Sequence, residues 1–364
     1  KAGLWTGIVK QFFCISASVT LFSWMEWKQE RKVVFSPVFF CLLLASVLSL
    51  MVLVQANNGI PGGGINVRIR GTGSFLAGTQ PLYVVDGVQL NTRDDANYTQ
   101  SNPLAFLNPN DIESITVLKD ASAAAIYGSR GANGVVLITT KAGRGGKKGS
   151  LTFSAATSIA ETAKRYDLMK PSDFLAAAKK ANIDGGADPV AAAEAVANID
   201  NKNNTDWQDE IFRRSISQNY NLSWGFNAKS TAMRLSGSYD DQQGIIKNSA
   251  LKRLTARANI TQKFLNDKLK FEAAVTYSNA KNQYPPLSNN AGYLGSLLGA
   301  ALQFNPTNPV YNADGSFYQP GDQRNPVQML SYFDDRDNLN RLLSSLSGTY
   351  QITPSLSYKI VYGY

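Results

Sequence analysis

Two hydrophobic patterns divide the chain. From Val33 to Val54 runs an uncharged stretch of 22 residues, VVFSPVFFCLLLASVLSLMVLV, whereas from residue 150 onward apolar and polar side chains alternate with a period of two. The first pattern is long enough to cross a bilayer as a hydrophobic helix. Lys28, Arg31 and Lys32 precede it, and Val54-Gln55-Ala56 has the small-residue spacing of a signal-peptidase site. Residues 25–56 are therefore expected to form a signal peptide or a retained membrane anchor. Residues 1–24, which include Phe12-Phe-Cys-Ile, fit neither role and remain unassigned.

The second pattern predicts strands. Leu151 to Ile159 opens it; Tyr220, Leu222, Trp224 and Phe226 then alternate with Asn221, Ser223 and Gly225. Met233, Leu235 and Tyr239 follow, then Leu254, Ala256, Ala258 and Ile260 against Arg253, Thr255, Arg257 and Asn259. Leu269, Phe271, Ala273, Val275 and Tyr277 oppose Lys270, Glu272, Thr276 and Ser278, and two further segments run through Leu342 to Tyr350 and Leu356 to Tyr364. The connections alternate in length: long over about 160–215, short at Asn227 to Ser230, medium over 241–249, short at Phe264 to Asp267, very long over 281–338, short at Ile352 to Ser355. A β-sandwich also alternates apolar with polar. Seven strands with short turns on one side and long loops on the other favour an outer-membrane barrel, whose strands carry apolar residues outward and polar residues inward.

Between the two patterns, residues 59–149 hold 15 of the 29 glycines and short β-like runs. Ile65, Val67 and Ile69 alternate with Asn66, Arg68 and Arg70; Pro81 to Val85 is a short buried strand ending in an Asp86-Gly87 turn. Asn108-Pro-Asn-Asp-Ile-Glu113 supplies turn and capping chemistry ahead of the strand Ser114 to Leu118. Lys119 to Tyr127 has the composition of a short helix stopped by Gly128, and Gly134 to Thr140 is a buried β-branched run. A small α+β domain is expected. Gly71-Thr-Gly73 has Leu76 where a dinucleotide fingerprint needs its third glycine, and Lys141 and Lys148 stand where a phosphate-binding loop needs glycine and a hydroxyl.

Composition narrows the chemistry. The absence of histidine removes Ser-His-Asp and Cys-His nucleophiles, and Cys14 and Cys41 are too few for a four-cysteine metal site. No convergent acid, base or nucleophile set emerges, so an enzyme, a cofactor and a resident metal are not expected. The net charge of +9 is spread evenly, +3 in each of residues 1–58, 59–149 and 150–364, which gives no basic domain for nucleic acid.

The string from Asn108 through Asp120 to Gly128-Ser-Arg-Gly-Ala-Asn-Gly and on to Lys141 resembles the plug signature of the SusC/RagA family of TonB-linked outer-membrane proteins. Val67-Arg-Ile-Arg-Gly71, Leu82-Tyr-Val-Val-Asp-Gly87 and Asn204-Thr-Asp-Trp-Gln-Asp-Glu-Ile-Phe212 resemble the same family in the same order. The resemblance implies an α+β plug domain (57–145) followed by antiparallel transmembrane β-barrel strands (150–364), about seven of a barrel that needs roughly 22. The chain is then expected to be a fragment truncated at both ends, without the TonB-contacting segment that the family carries before its plug. The implied setting is the outer membrane of a Gram-negative cell. The implied partners are a SusD-like surface lipoprotein, the TonB complex, outer-membrane lipid and an oligosaccharide or peptide ligand, released inward by plug rearrangement.

Arg68, Arg70, Glu113 and Arg130 are candidates for polar contacts between plug and barrel wall, or for salt bridges within the plug. Trp207, Tyr284, Tyr293, Tyr311 and Tyr318, in or beside the two long loops, are candidates for ligand contact, since aromatic faces stack on sugar rings; a plain solvated loop carries such residues as well. A non-transporting surface adhesin or antigen and a periplasmic domain anchored in the inner membrane by residues 33–54 are the alternative readings.

Overall fold

A computed structural model describes residues 52–56, 59–69, 80–90, 102–119, 125–143, 149–287, 296–321 and 323–364. Residues 33–51, Arg70, the segment 120–124 and Tyr293 lie outside them.

Strands β1 (Val52–Ala56) and β2 (Ile65–Ile69) form an antiparallel pair, with Val54 opposite Val67. Val52 to Val54, the end of the uncharged run expected as a helix, are thus strand; β-branched residues favour an extended backbone when a partner strand is at hand. Among the described residues no helix is long and apolar enough to cross a membrane.

A second, four-stranded sheet has the order β4 (Val88–Gln89), β3 (Leu82–Val85), β6 (Val135–Thr140), β5 (Ile112–Leu118). Only β3 and β6 run parallel. Asp86 (φ 49°) and Gly87 (φ 88°) turn β3 into β4 with both central residues left-handed, the geometry that an Asp-Gly pair tolerates. Asn108 caps a 3-10 turn at Pro109–Asp111, its side chain accepting from the Asn110 amide. Where a helix over 119–127 was expected, the described part is a 3-10 segment Ala125–Gly131 broken at Gly128 (φ 62°). Tyr83, Val85, Phe106, Leu107, Val136 and Ile138 make the domain's core.

The third sheet has seven strands in strict chain order: β7 (Ser150–Ala160), β8 (Ser215–Asn227), β9 (Thr231–Gln243), β10 (Ala250–Phe264), β11 (Leu269–Tyr284), β12 (Asp335–Thr353) and β13 (Leu356–Gly363). All neighbours are antiparallel. The sheet is open, with β7 and β13 at its edges and both exposed along their whole length.

Its two faces invert the soluble pattern. Leu222, Leu235, Leu254, Val275, Tyr277, Leu342 and Leu346 are exposed on one face. Ser236, Ser238, Asp240, Arg253, Thr255, Arg257, Thr276 and Ser278 are buried on the other, against the small domain. Water would expel the first set and hold the second; lipid outside and a polar lumen inside favour both.

The long connections fold together at one end of the sheet. Residues 161–214 carry α1 (Pro171–Asp184), α2 (Pro189–Ile199) and α3 (Trp207–Ile211), and residues 285–334 carry α4 (Leu297–Gln303) and α5 (Pro326–Tyr332). With Ile246 of the β9–β10 loop, these two connections share one core of Trp207, Ile211, Leu297, Ala301, Phe304 and Leu330.

Candidate functional site

The buried inward residues of β9, β10 and β11 meet the four-stranded domain through charged hydrogen bonds. Asp86, pushed outward by its own tight turn, accepts from the Thr140 amide at 3.0 Å and the Thr140 hydroxyl at 2.8 Å. Across the interface Arg257 Nη2 donates to Asp86 Oδ2 at 2.6 Å and also to Thr140 Oγ1, while its Nη1 donates to Thr276 Oγ1. The Arg257 side chain is 3% exposed and that of Asp86 is 19%. The pair is therefore nearly dry, and each partner is costly without the other.

A second joint lies one strand away. Arg234 Nη2 donates to Asp111 Oδ1 at 3.0 Å, and the Ser236 hydroxyl donates to Asp111 Oδ2 at 2.8 Å. The Asn108 cap holds Asp111 in a 3-10 turn, which aims its carboxylate at the sheet. A third joint uses backbone: Arg253 is neutralised by Asp240 through Nε at 3.0 Å and Nη2 at 2.7 Å, and its Nη1 reaches the Ala105 carbonyl. Arg341 of β12 donates to the Pro103 carbonyl at 2.8 Å and stacks 5.1 Å from the Phe106 ring centroid. Leu343 packs on the small domain's core from the same strand. Gly143, where the chain passes from the small domain towards β7, lies so close to β9 that a Cβ there would sit 2.5 Å from Met233 N and O.

Four arginines thus project from the strands onto carboxylates and carbonyls of the domain they enclose. The arrangement seats the small domain on the sheet through named polar pairs; among the described residues no group of three or more His, Cys, Asp or Glu is placed to hold a metal. Tyr83, buried beneath the Asp86 turn, has its hydroxyl pushed up to about 12 by burial.

Three of the residues expected to make polar contacts at this interface or within the small domain are described. Arg68 is half-buried in β2, Glu113 is on the exposed part of β5, and Arg130 is exposed and donates to Gln89 of its own domain at 3.3 Å. Asp86 and Asp111 lie inside the family-like strings, where the local sequence identifies them only as turn and capping residues. The signal that could have found them is the row Arg234, Arg253, Arg257 at inward positions of successive strands, since guanidinium groups buried in a wall require acceptors.

The loop residues divide. Trp207 is 2% exposed, its indole N–H donates to the Asn305 carbonyl at 3.0 Å, and its ring meets Phe304 edge-on at 4.7 Å; it holds the loops together. Tyr284 is buried and donates to Asp337 at 3.2 Å. Tyr311 is exposed and packs against Phe317, and Tyr318 is half-buried beside it. Asn325 is fully buried and ties the long loop: its amide donates to the Val310 and Tyr318 carbonyls at 2.9 and 3.0 Å, and its oxygen caps α5. Arg213 bridges to the Gly244 and Ser249 carbonyls at 3.0 and 2.9 Å, its pKa lowered by burial.

The TonB-dependent Receptor Plug Domain family matches residues 43–135, beginning inside the uncharged run. The chain is 35% identical over 324 residues to the TonB-dependent receptor SusC of Bacteroides thetaiotaomicron, covering 82% of the chain and 30% of that protein. It is 34% identical over 269 residues to the TonB-dependent receptor P26 of Formosa agariphila, covering 73% of the chain and 25% of that protein. The chain therefore spans less than a third of the length of these relatives. A structure of the RagAB peptide transporter has the same fold, with a TM-score of 0.71 at 24% identity over 86% of the chain and 37% of that structure's chain.

Proposed function

The chain belongs to the SusC/RagA family of TonB-dependent receptors, and from that premise we propose that it forms the plug and the first wall of an outer-membrane importer for glycans or peptides. The observation that carries this reading is the buried Asp86–Arg257 and Asp111–Arg234 pairing inside an inverted sheet. A plug held by discrete ion pairs, and not by a continuous apolar core, can be displaced one joint at a time and re-seated.

The two open edges support a larger barrel. Unpaired edge groups in hydrocarbon cost several kcal/mol each, so β7 and β13 need further strands before the sheet is stable in lipid. These seven strands are thus a segment of a barrel, and the chain by itself does not transport. In the whole assembly ligand would be captured on the side of the long loops, with a SusD-like lipoprotein over them, and TonB-driven rearrangement of the plug would release it inward. The pre-assembled loop cap favours this over mobile loops, because a capture surface built on Trp207 and Asn325 loses little conformational entropy on binding.

Uptake tests the reading. The assembly containing these residues should show ligand-dependent uptake into the periplasm that requires an energised membrane. Cross-linking plug to wall, by cysteines at Asp111 and Ser236, should stop uptake until the disulfide is reduced. Unchanged uptake with the plug locked would refute release by plug rearrangement.

A further inference from the structure

Along the outward wall of β9 to β12 the chemistry changes in steps. On β11 the apolar run Leu269 to Tyr277 has the ~9–11 residues of a tilted membrane strand. Beyond it, towards the long loops, Asn279 donates to Asn338 and Asn340, both at 2.7 Å, and Tyr277 donates to Asn340 at 3.1 Å. The next outward position is Lys281, and its direct cross-strand partner is Lys252.

Two like charges directly opposite each other on one face repel and destabilise a strand pair. Lys252 has partial relief from Asp241 at 3.5 Å, and Arg336 is paired with Asp334 at 2.6 Å. Lys281 makes no ion pair among the described residues. These three cations, with Ala250, Asn282, Gln283, Asp337 and Asn338, line an open cavity of about 440 Å³ on the outward face, just above the amide row, and the Asp337 carboxylate is taken up by Asn282 at 2.6 Å and Tyr284 at 3.2 Å.

From this juxtaposition we propose that Lys252, Lys281 and Arg336 form a binding site for the phosphate group of a membrane lipid, held at the rim of the apolar band on the long-loop side. A phosphate between the lysines converts their repulsion into two charge-assisted hydrogen bonds, and Asn338 adds a neutral donor. The acyl chains of the same molecule would lie along Leu254, Tyr277 and Leu342. The site rests on the reading that this wall faces lipid, and it adds to that reading a headgroup preference.

The test uses the closed barrel that contains these residues, in non-ionic micelles, with lipid retention measured by native mass spectrometry. The probes are phosphatidic acid, diacylglycerol with the same acyl chains, and inorganic phosphate. Phosphatidic acid should be retained about tenfold more tightly than diacylglycerol, and Lys252→Gln with Lys281→Gln should remove that preference while Lys252→Arg with Lys281→Arg keeps it. Equal retention of the two lipids overturns the site and leaves the lipid-facing wall standing; retention of neither removes both. Displacement of the lipid by an equal concentration of inorganic phosphate overturns the lipid assignment. Lys281→Gln alone gives a readout that does not depend on the double variant folding. It should raise the melting temperature in lipid-free micelles at low salt and lower it in phosphatidic acid micelles; a shift of the same sign in both overturns the proposal.

Discussion

Replacing Asp86 by asparagine tests the central joint with little change of shape. Asparagine tolerates the left-handed backbone at this turn, so the β3–β4 connection is preserved. Its carbonyl can still accept from the Thr140 amide, but its NH2 group then faces Arg257 Nη2, placing donor against donor. Arg257, with a side chain 3% exposed, is left with two hydroxyl acceptors and no counter-charge. Removing one partner of a buried pair costs about 3–5 kcal/mol. Asp86 is 19% exposed and water relieves part of this, so the lower end, about 3 kcal/mol, is the expected loss in plug seating. The assay is amide hydrogen exchange across Val135–Thr140, with β8 as internal control. Exchange in the plug strand should accelerate on the order of 100-fold. Arg257→Met combined with Asp86→Asn should recover much of the loss, because a dry ion pair replaced by apolar or neutral groups is often near neutral. Exchange within about threefold of the parent, or losses that simply add in the double variant, would refute the latch.

Other outcomes follow from the same geometry. Gly143→Ala places a Cβ 2.5 Å from the Met233 backbone and should cost about 1–3 kcal/mol, read as a lower melting temperature and lost protection at the β9 end. Trp207→Ala empties the centre of the loop cap and should cost that subdomain about 3–5 kcal/mol, so limited proteolysis should cut within 161–214 and 285–334 while β8 to β11 stay intact. Tyr83 titrates at about 12 when folded and at 10.0 unfolded, so its neutral form stabilises the plug fully below pH 10 and that contribution is lost as pH rises towards 12. Tyr83→Phe should flatten this part of the stability profile, and tyrosinate absorbance should lose a component that titrates at about 12.

Local rules account for much of what was legible in the chain. Period-two alternation located the strands, since side chains on a strand point to opposite faces, and turn chemistry placed Asp86-Gly87 and the Asn108 cap. The alternation also showed which face was polar. It did not show which polar groups face each other, because Asp86 and Arg257 are separated by 171 residues and their pairing depends on how the plug seats in the wall. Trp207 illustrates the same limit from the other side. An aromatic residue in a long polar loop suggests an exposed contact surface, yet the loop meets a second one 98 residues on and buries the ring. The end of the uncharged run shows the same dependence: Val52 to Val54 suit helix or strand by composition, and the presence of β2 alongside makes them strand.

What the sequence by itself determined is the set of strands, the turns between them and the family, since these rest on patterns within a few dozen residues. What only the tertiary structure decided is which charges are joined, which aromatics are covered, and that Lys252 stands opposite Lys281. Those depend on register and docking, where the free energy of an ion pair or a buried ring is set by groups far away in the chain.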